Sequence, residues 1–314
     1  MRAWLKSALF ALGVARLVHR FRNRSVLTVV MFHRVLPPED PRFAGANPTY
    51  TVTSREFARC LDFFARFYSV VSLAEVQHAA EGGSLPPCPL LITFDDGWQD
   101  NAAYALPLLQ ARGMPAVLFV ATGHVGQEEG FWQEEIFDRI TALAPDGQRR
   151  READAAITAL LDRPAAERTA HLAALPSRDL PRRMADAGEL RRMEQAGISI
   201  GGHGHSHEPL TTFADAGEEL AQCRASLAAL GLGGARPSFS FPHGRWTPDL
   251  VQAARAAGFG LCFTSEAELV PIGSLRAAGV AGRVSVELAG LRKADGFDLP
   301  ALAFSLLTRR HEAG

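Results

Sequence analysis

The chain has 314 residues, 47% of them hydrophobic, which is ample for one large core. Its 33 basic and 34 acidic side chains leave a net charge of −1, removing any electrostatic case for nucleic-acid binding. Cys60, Cys88, Cys223 and Cys262 are scattered and form no CxxC pair. Neither a structural zinc site nor a disulfide framework is therefore expected, and buried thiols in a reducing, cytoplasmic setting are the reading.

Residues 1–24 form an N-terminal basic amphipathic segment. Trp4, Leu5, Leu9, Phe10, Leu12, Val14, Leu17 and Val18 are interspersed with Arg2, Lys6, Arg16, Arg20, Arg22 and Arg24. The apolar window between Lys6 and Arg16 is too short to span a bilayer, and no clear small-residue cleavage site precedes Arg16. A helix packed on the domain, or laid on an anionic membrane surface as a peripheral contact, fits this pattern.

A main domain over 25–290 follows. The apolar run Val26–Phe32 predicts a first buried strand that ends at His33-Arg34, and the Pro- and Gly-rich residues 36–50 predict a loop. Ser54 is expected to cap a helix carrying Phe57, Cys60, Leu61, Phe64 and Phe67, and Ser72 to cap a second one to about Ala80, with a short strand over 68–73 between them. Leu90-Leu91-Ile92-Thr93-Phe94 predicts a strand ending in Asp95-Asp96-Gly97. A helix over 101–112 and strands over 115–121, 198–202, 238–241 and 259–264 continue the alternation, with a last strand over 280–286. Near-continuous apolar strands alternating with helices are the mark of parallel strands buried on both faces. A helical insertion on one loop is expected over about 127–186, and 291–314 read as a C-terminal tail.

Three chemically loaded segments stand at predicted strand ends: Asp95-Asp96, His203-Gly204-His205-Ser206-His207, and Phe241-Pro242-His243-Gly244-Arg245-Trp246. In a parallel barrel such ends converge on one face. Adjacent aspartates are costly unless a cation relieves their repulsion. His203 and His207, four apart, would share a face on one helical turn, with His205 pointing elsewhere. Two imidazoles and a carboxylate suit Zn above all, with Co, Mn, Fe or Ni as alternatives, and leave room for water and substrate.

With these residues the chain resembles the polysaccharide deacetylase family (carbohydrate esterase family four, the NodB-homology domain). Thr93-Phe94-Asp95-Asp96-Gly97, the His203…His207 pair, the 241–246 segment, Met31-Phe32-His33-Arg34-Val35 and Tyr68-Ser69-Val70-Val71-Ser72-Leu73 carry the resemblance, which runs from about Val26 to Phe263. It implies a distorted (β/α) barrel and hydrolysis of N- or O-acetyl groups on a polysaccharide or glycolipid precursor. Asp95 would deprotonate the attacking water, and Asp96, His203 and His207 would hold a divalent metal. A backbone N–H near His243 would bind the oxyanion. Pro242, Gly244, Trp246 and Trp98 would contact substrate, while Trp132 fits packing in the insertion equally well.

Departures from the family pattern are visible. Gly204 replaces the usual Ser or Thr, His243 the usual Tyr, and Ser240 the arginine that orients the base. No C-terminal Leu-x-His supplies a general acid, and Arg283 cannot donate a proton at ordinary pH. His33, His124 and His243, each following a predicted strand, are the replacement candidates. Asp100 and Asn101 are expected to cap the helix they precede. Two further readings stand beside the leading one: a metal-dependent amidohydrolase on a non-sugar amide, and a glycan-binding protein that has lost turnover.

Overall fold

The uninterrupted apolar run Val26–Phe32 forms strand β1, and every one of its residues is buried. Its neighbours are built the same way: β2 (Ser69–Val70), β3 (Pro89–Phe94), β4 (Ala116–Val120), β5 (Ile198–Gly202), β6 (Phe239–Ser240) and β7 (Cys262–Phe263). In the computed structural model, which describes residues 9–10, 12–141, 147–287, 292–293 and 296–307, these strands pair in parallel. The order runs β1, β3, β4, β5, β6, β7, a mostly parallel sheet that curls until it nearly closes into a barrel. The exception is β8 (Val270–Pro271), which pairs antiparallel with the start of β1.

Closure depends on a short segment. The single strand expected over 280–286 is two, β9 (Val280–Ala281) on β7 and β10 (Val284–Ser285) on β1. Between them Gly282-Arg283 crosses from one sheet edge to the other, and this crossing directs the Arg283 side chain inward.

The helices obey local chemistry. Helix α2 (Ser54–Phe67) is capped by Thr53 rather than Ser54, because Glu56 lies three residues beyond Thr53 and completes a reciprocal capping box. Ser72 caps α3 (Leu73–Ala80) in the same manner with Glu75. Phe57 and Phe64 of α2 pack edge-on against Phe32, and Phe57 also meets Phe94. Each such buried ring contributes about 1.5–3 kcal/mol. The strand expected over 68–73 shortens to Ser69–Val70, since Ser72 and Glu75 begin the helix immediately after it.

The insertion consists of α4 (Trp132–Thr141), α5 (Gly147–Leu160) and α6 (Ala165–Ala173), with its own small apolar cluster of Ile136, Phe137, Ile140 and Ala153. Arg183 ties it to the barrel through Glu135 (3.0 Å) and Asp138 (2.9 Å). Trp132 packs within it beneath the Arg168 guanidinium, 4.8 Å away. At the chain ends, α1 (Val14–Arg22) lies against α7 (Leu299–Leu307), which buries Leu302, Ala303 and Leu306.

Candidate active site

The parallel register brings the ends of β1, β3, β5 and β6 to one face, where they surround a cavity of about 530 Å³. Its walls include His33, Asp95, Asp96, Trp98, His203, His207, His243 and Gly244 from the barrel, and Phe131, Glu134 and Ile157 from the insertion. Volumes in this range take a small ligand or part of a larger one.

Asp96, His203 and His207 each present one ligand atom, all within 4.8 Å of one another. Nε2 of His203 and of His207 lie 3.4 and 3.2 Å from Asp96 Oδ1. The donor set fits a divalent metal for a structural reason. His203 Nδ1 faces the Ser240 carbonyl at 2.8 Å; a carbonyl only accepts, so Nδ1 carries the proton and Nε2 offers its lone pair to the cluster. Trp98 Nε1 donates to Asp96 Oδ2 at 2.8 Å, leaving Oδ1 for an ion. The ring of Phe131 stacks on His207 at 3.8 Å and fixes its plane. Burial disfavours the Asp96 carboxylate, but the neighbouring His203 and His207 outweigh it and hold the group well below the usual range. Burial likewise keeps His207 below its ordinary value, so it is neutral and able to ligate.

The two histidines do not converge by sharing a helical turn. Residues 203–207 form a loop, with Gly204 at φ 75° and His207 at φ 63°. Glu219, which sequence reasoning did not single out, accepts from the amides of His205 and Ser206 at 2.7 and 2.6 Å and holds this loop in shape. The loop also explains Gly204: a Cβ there would lie 3.2 Å from the Glu219 carboxylate and 3.3 Å from Pro242, in a conformation that L residues resist. His205 turns away, to Thr122 and Gln222. Positive φ at Asp96 (81°) and His243 (57°) places further strain at this site.

Asp95 is held from a direction that the sequence did not reveal. Arg283 donates to both of its oxygens, Nη1 to Oδ1 at 2.6 Å and Nη2 to Oδ2 at 2.7 Å. The same guanidinium donates to Ser240 Oγ (2.7 Å), Thr93 Oγ1 (3.2 Å) and the Thr264 carbonyl (2.9 Å). The arginine missing at position 240 is thus supplied from the barrel closure. Ser240 at that position leaves room for it and donates a bond of its own to Asp95 at 3.3 Å. Burial would raise the Asp95 carboxyl, but the charge of Arg283 outweighs it and the group is held below the ordinary value.

Of the three replacement histidines, His33 stands apart. Burial alone would lower it, but Glu287 reverses this: Oε2 is 2.9 Å from Nδ1, and Oε1 accepts from the His33 amide at 2.7 Å. His33 is raised to about 9 and is protonated at neutral pH. His124 and His243 are both lowered, first by burial and then by the neighbouring His207. His243 keeps an exposed edge and directs Nε2 to the His207 carbonyl at 3.1 Å, so the proton of that nitrogen is engaged. Glu287 escaped sequence reasoning because nothing local marks a glutamate 254 residues from its partner.

Asp100 and Asn101 do not cap the following helix. Asp100 accepts from Arg34 Nε and the Val35 amide, each at 3.0 Å, and Asn101 Nδ2 donates to the His33 carbonyl at 2.9 Å. They hold the His33 loop, and the helix opens instead as a wide π turn over Asn101–Ala105. Trp98 is buried, with Arg34 stacked on its indole at 4.3 Å. Gly244 borders the cavity, whereas Pro242 is packed behind Gly204 and Trp246 turns its indole N–H to Glu266 at 3.1 Å, both outside the cavity wall.

Comparison with known proteins agrees with this architecture. The chain superimposes on IcaB from Ammonifex degensii with a TM-score of 0.59 at 22% identity, covering 90% of this chain and 97% of that one. It superimposes on the deacetylase PplD of Streptococcus pyogenes, solved in complex with acetate, with a TM-score of 0.58 at 16% identity, covering 90% and 99%. A de-N-acetylase from Aggregatibacter actinomycetemcomitans gives 0.55 at 17% identity, covering 82% and 94%. At these identities the likeness concerns the fold. A comparison with curated proteins finds no match. The sequence profile described as polysaccharide deacetylase matches residues 83–261, more than half of the chain and the span holding Asp95, Asp96, His203, His207 and the 241–246 turn. The chain belongs to the polysaccharide deacetylase family and is a deacetylase that hydrolyses amide or ester bonds.

Proposed function

We propose that the protein is a metal-dependent deacetylase that removes an N-acetyl group from a glycan or glycolipid, with Asp95 as base and His33 as acid. One observation carries this reading: a single cavity holds two titratable groups pushed in opposite directions, Asp95 down by Arg283 and His33 up by Glu287. Such a divergence marks a base–acid division of labour.

A divalent ion held by Asp96, His203 and His207 would supply a Lewis acid that acidifies water and polarises the acyl oxygen. Asp95, unprotonated at neutral pH, accepts the proton of the attacking water, while Arg283 and Ser240 fix the carboxylate in position. The turn at His243, where a backbone donor for the oxyanion is expected, borders the same cavity. His33 gives its Nε2 proton to the departing nitrogen, and Glu287 on Nδ1 stabilises the imidazolium until then. An amine leaving group needs that proton and an alkoxide needs it less, so a protonated His33 favours the amide over the ester.

The test is a pair of variants assayed for acetate release on N-acetylated and O-acetylated saccharides, with zinc or cobalt content measured alongside. His33→Ala should slow the amide reaction by about 10²–10⁴-fold and the ester reaction far less. Asp95→Asn should abolish both while metal content is retained. Equal loss on amide and ester for His33→Ala removes the acid role, and full activity of Asp95→Asn removes the base role.

A further inference from the structure

Helix α1 buries the wrong face for a helix packed by its apolar residues. Against the barrel it sets His19, whose Nε2 donates to the Phe67 carbonyl at 2.9 Å, and Asn23, which donates to His19 Nδ1 at 3.1 Å. The His19 ring also packs on Tyr68 at 4.3 Å. Outward it presents Val14, Leu17, Val18 and Phe21, the i, i+3, i+4, i+7 stripe that normally faces a core. Leu17 is 60% exposed and Phe21 77%. Of the six exposed large hydrophobic side chains among the described residues, five lie in Leu12–Phe21, and the sixth is Tyr50 beside the cavity.

Charge identifies what covers this stripe. Arg20 follows Leu17 by three residues and Arg22 follows Val18 by four, so exposed cations flank the stripe on either side. No Asp or Glu occurs before Glu39, although the whole chain is nearly neutral. Two copies joined stripe to stripe would set the arginines of both helices side by side as like charges. A surface that is apolar at its centre and anionic at its rim satisfies both features. We infer that α1 lies on an anionic lipid membrane, with Leu17, Val18 and Phe21 among the acyl chains and Arg20 and Arg22 at the phosphates.

The helix lies on the surface and does not cross: no helix of the described residues is long and apolar enough to span a bilayer. It also sets an orientation. The helix leads into the Val26 end of β1 and His33 follows the other end, about 23 Å away at the rise of a strand. The cavity therefore lies at the end of β1 opposite the one that α1 enters.

Co-sedimentation of the full chain with phosphatidylcholine vesicles, and with vesicles containing one quarter phosphatidylglycerol, tests the inference. Binding to the anionic vesicles should exceed binding to the neutral ones at least tenfold and weaken as salt rises. Leu17→Ser/Phe21→Ser should lose at least tenfold in that binding, with its circular dichroism and thermal midpoint unchanged, since both side chains are exposed. Equal binding to both vesicle types, or an unaffected double variant, overturns the inference. So does a lipid-free dimer in sedimentation velocity that the double variant dissociates, which would make the stripe an interface between copies. None of these outcomes depends on turnover, so they stand apart from the proposed reaction.

Discussion

The two sides of the cavity are assembled by different means. On one side, Asp96, His203 and His207 come from two short loops at the ends of β3 and β5, and they are oriented by Trp98 of the same loop, Ser240 of the next strand and Phe131 of the insertion. On the other, Asp95 is held by a residue 188 positions away and His33 by one 254 positions away. Both long-range partners, Arg283 and Glu287, flank β10, the segment that closes the barrel on β1. The proposed ligand side therefore depends on local loop shape, whereas the proposed proton-handling side depends on closure. Perturbing each should produce separable defects in metal retention, stability and pH dependence.

The largest effect is expected on the ligand side. His207→Ala removes one of three donors and should strip the metal, with a loss of acetate release exceeding the roughly 100-fold that removal of an outer partner brings. Metal analysis of the purified variant checks this directly. The Asp95–Arg283 pair should survive, because neither of its partners touches His207, so the thermal midpoint should change little. A variant that keeps its metal would show that the cluster does not act as the ligand set.

Next is Arg283→Met, which should leave metal content nearly intact while costing about 3–5 kcal/mol of stability by burying Asp95 without its counter-charge. Adding Asp95→Asn should recover much of that stability without activity, and the double-mutant cycle measures the coupling. The pH dependence has a definite sign. The folded Asp95 carboxyl is depressed, so its contribution is present above the unfolded value near 3.8 and is lost as pH falls through the folded one. The stability gap between Arg283→Met and the parent should accordingly be widest at neutral pH and narrow as pH falls through the Asp95 range.

These two sides also differ in how far the sequence discloses them. Strand Val26–Phe32 was legible to the residue because a fully buried parallel strand is an uninterrupted apolar run, and the convergence of Asp96, His203 and His207 was legible because Asp95-Asp96 and His203 directly follow strand ends. The closure was not. Val280–Val286 has the composition of one strand, and only pairing with both β7 and β1 splits it around Gly282-Arg283. Arg283 was visible but was weighed as a proton donor, a role its chemistry forbids, rather than as the partner of Asp95. Asp100 and Asn101 carry ordinary capping chemistry, yet the free backbone of the His33 loop competes for their side chains and takes them. Local propensity gives way wherever a distant segment offers a buried polar partner.

The mildest variant bears most directly on the proton-handling side. Glu287→Gln keeps the size of the side chain and leaves the cluster and Asp95 untouched, so metal content should stay close to the parent. What changes is His33. Burial lowers it and the Glu287 carboxylate raises it, to about 9 from an ordinary value of 6.5. With the charge removed, burial prevails and the imidazolium gives up its proton at lower pH. The alkaline limb of kcat/KM for amide cleavage should therefore move toward neutrality, with a loss at pH 8 larger than the loss at pH 6. Stability should follow the same sign: the raised pKa contributes in full below about 6.5 and is lost as pH climbs through about 9, so the variant and parent should differ most in acid and converge in alkali. An alkaline limb that stays fixed in Glu287→Gln would assign that limb to another group and leave His33 a positioning residue for the Tyr50 wall, whose ring lies 5.0 Å away.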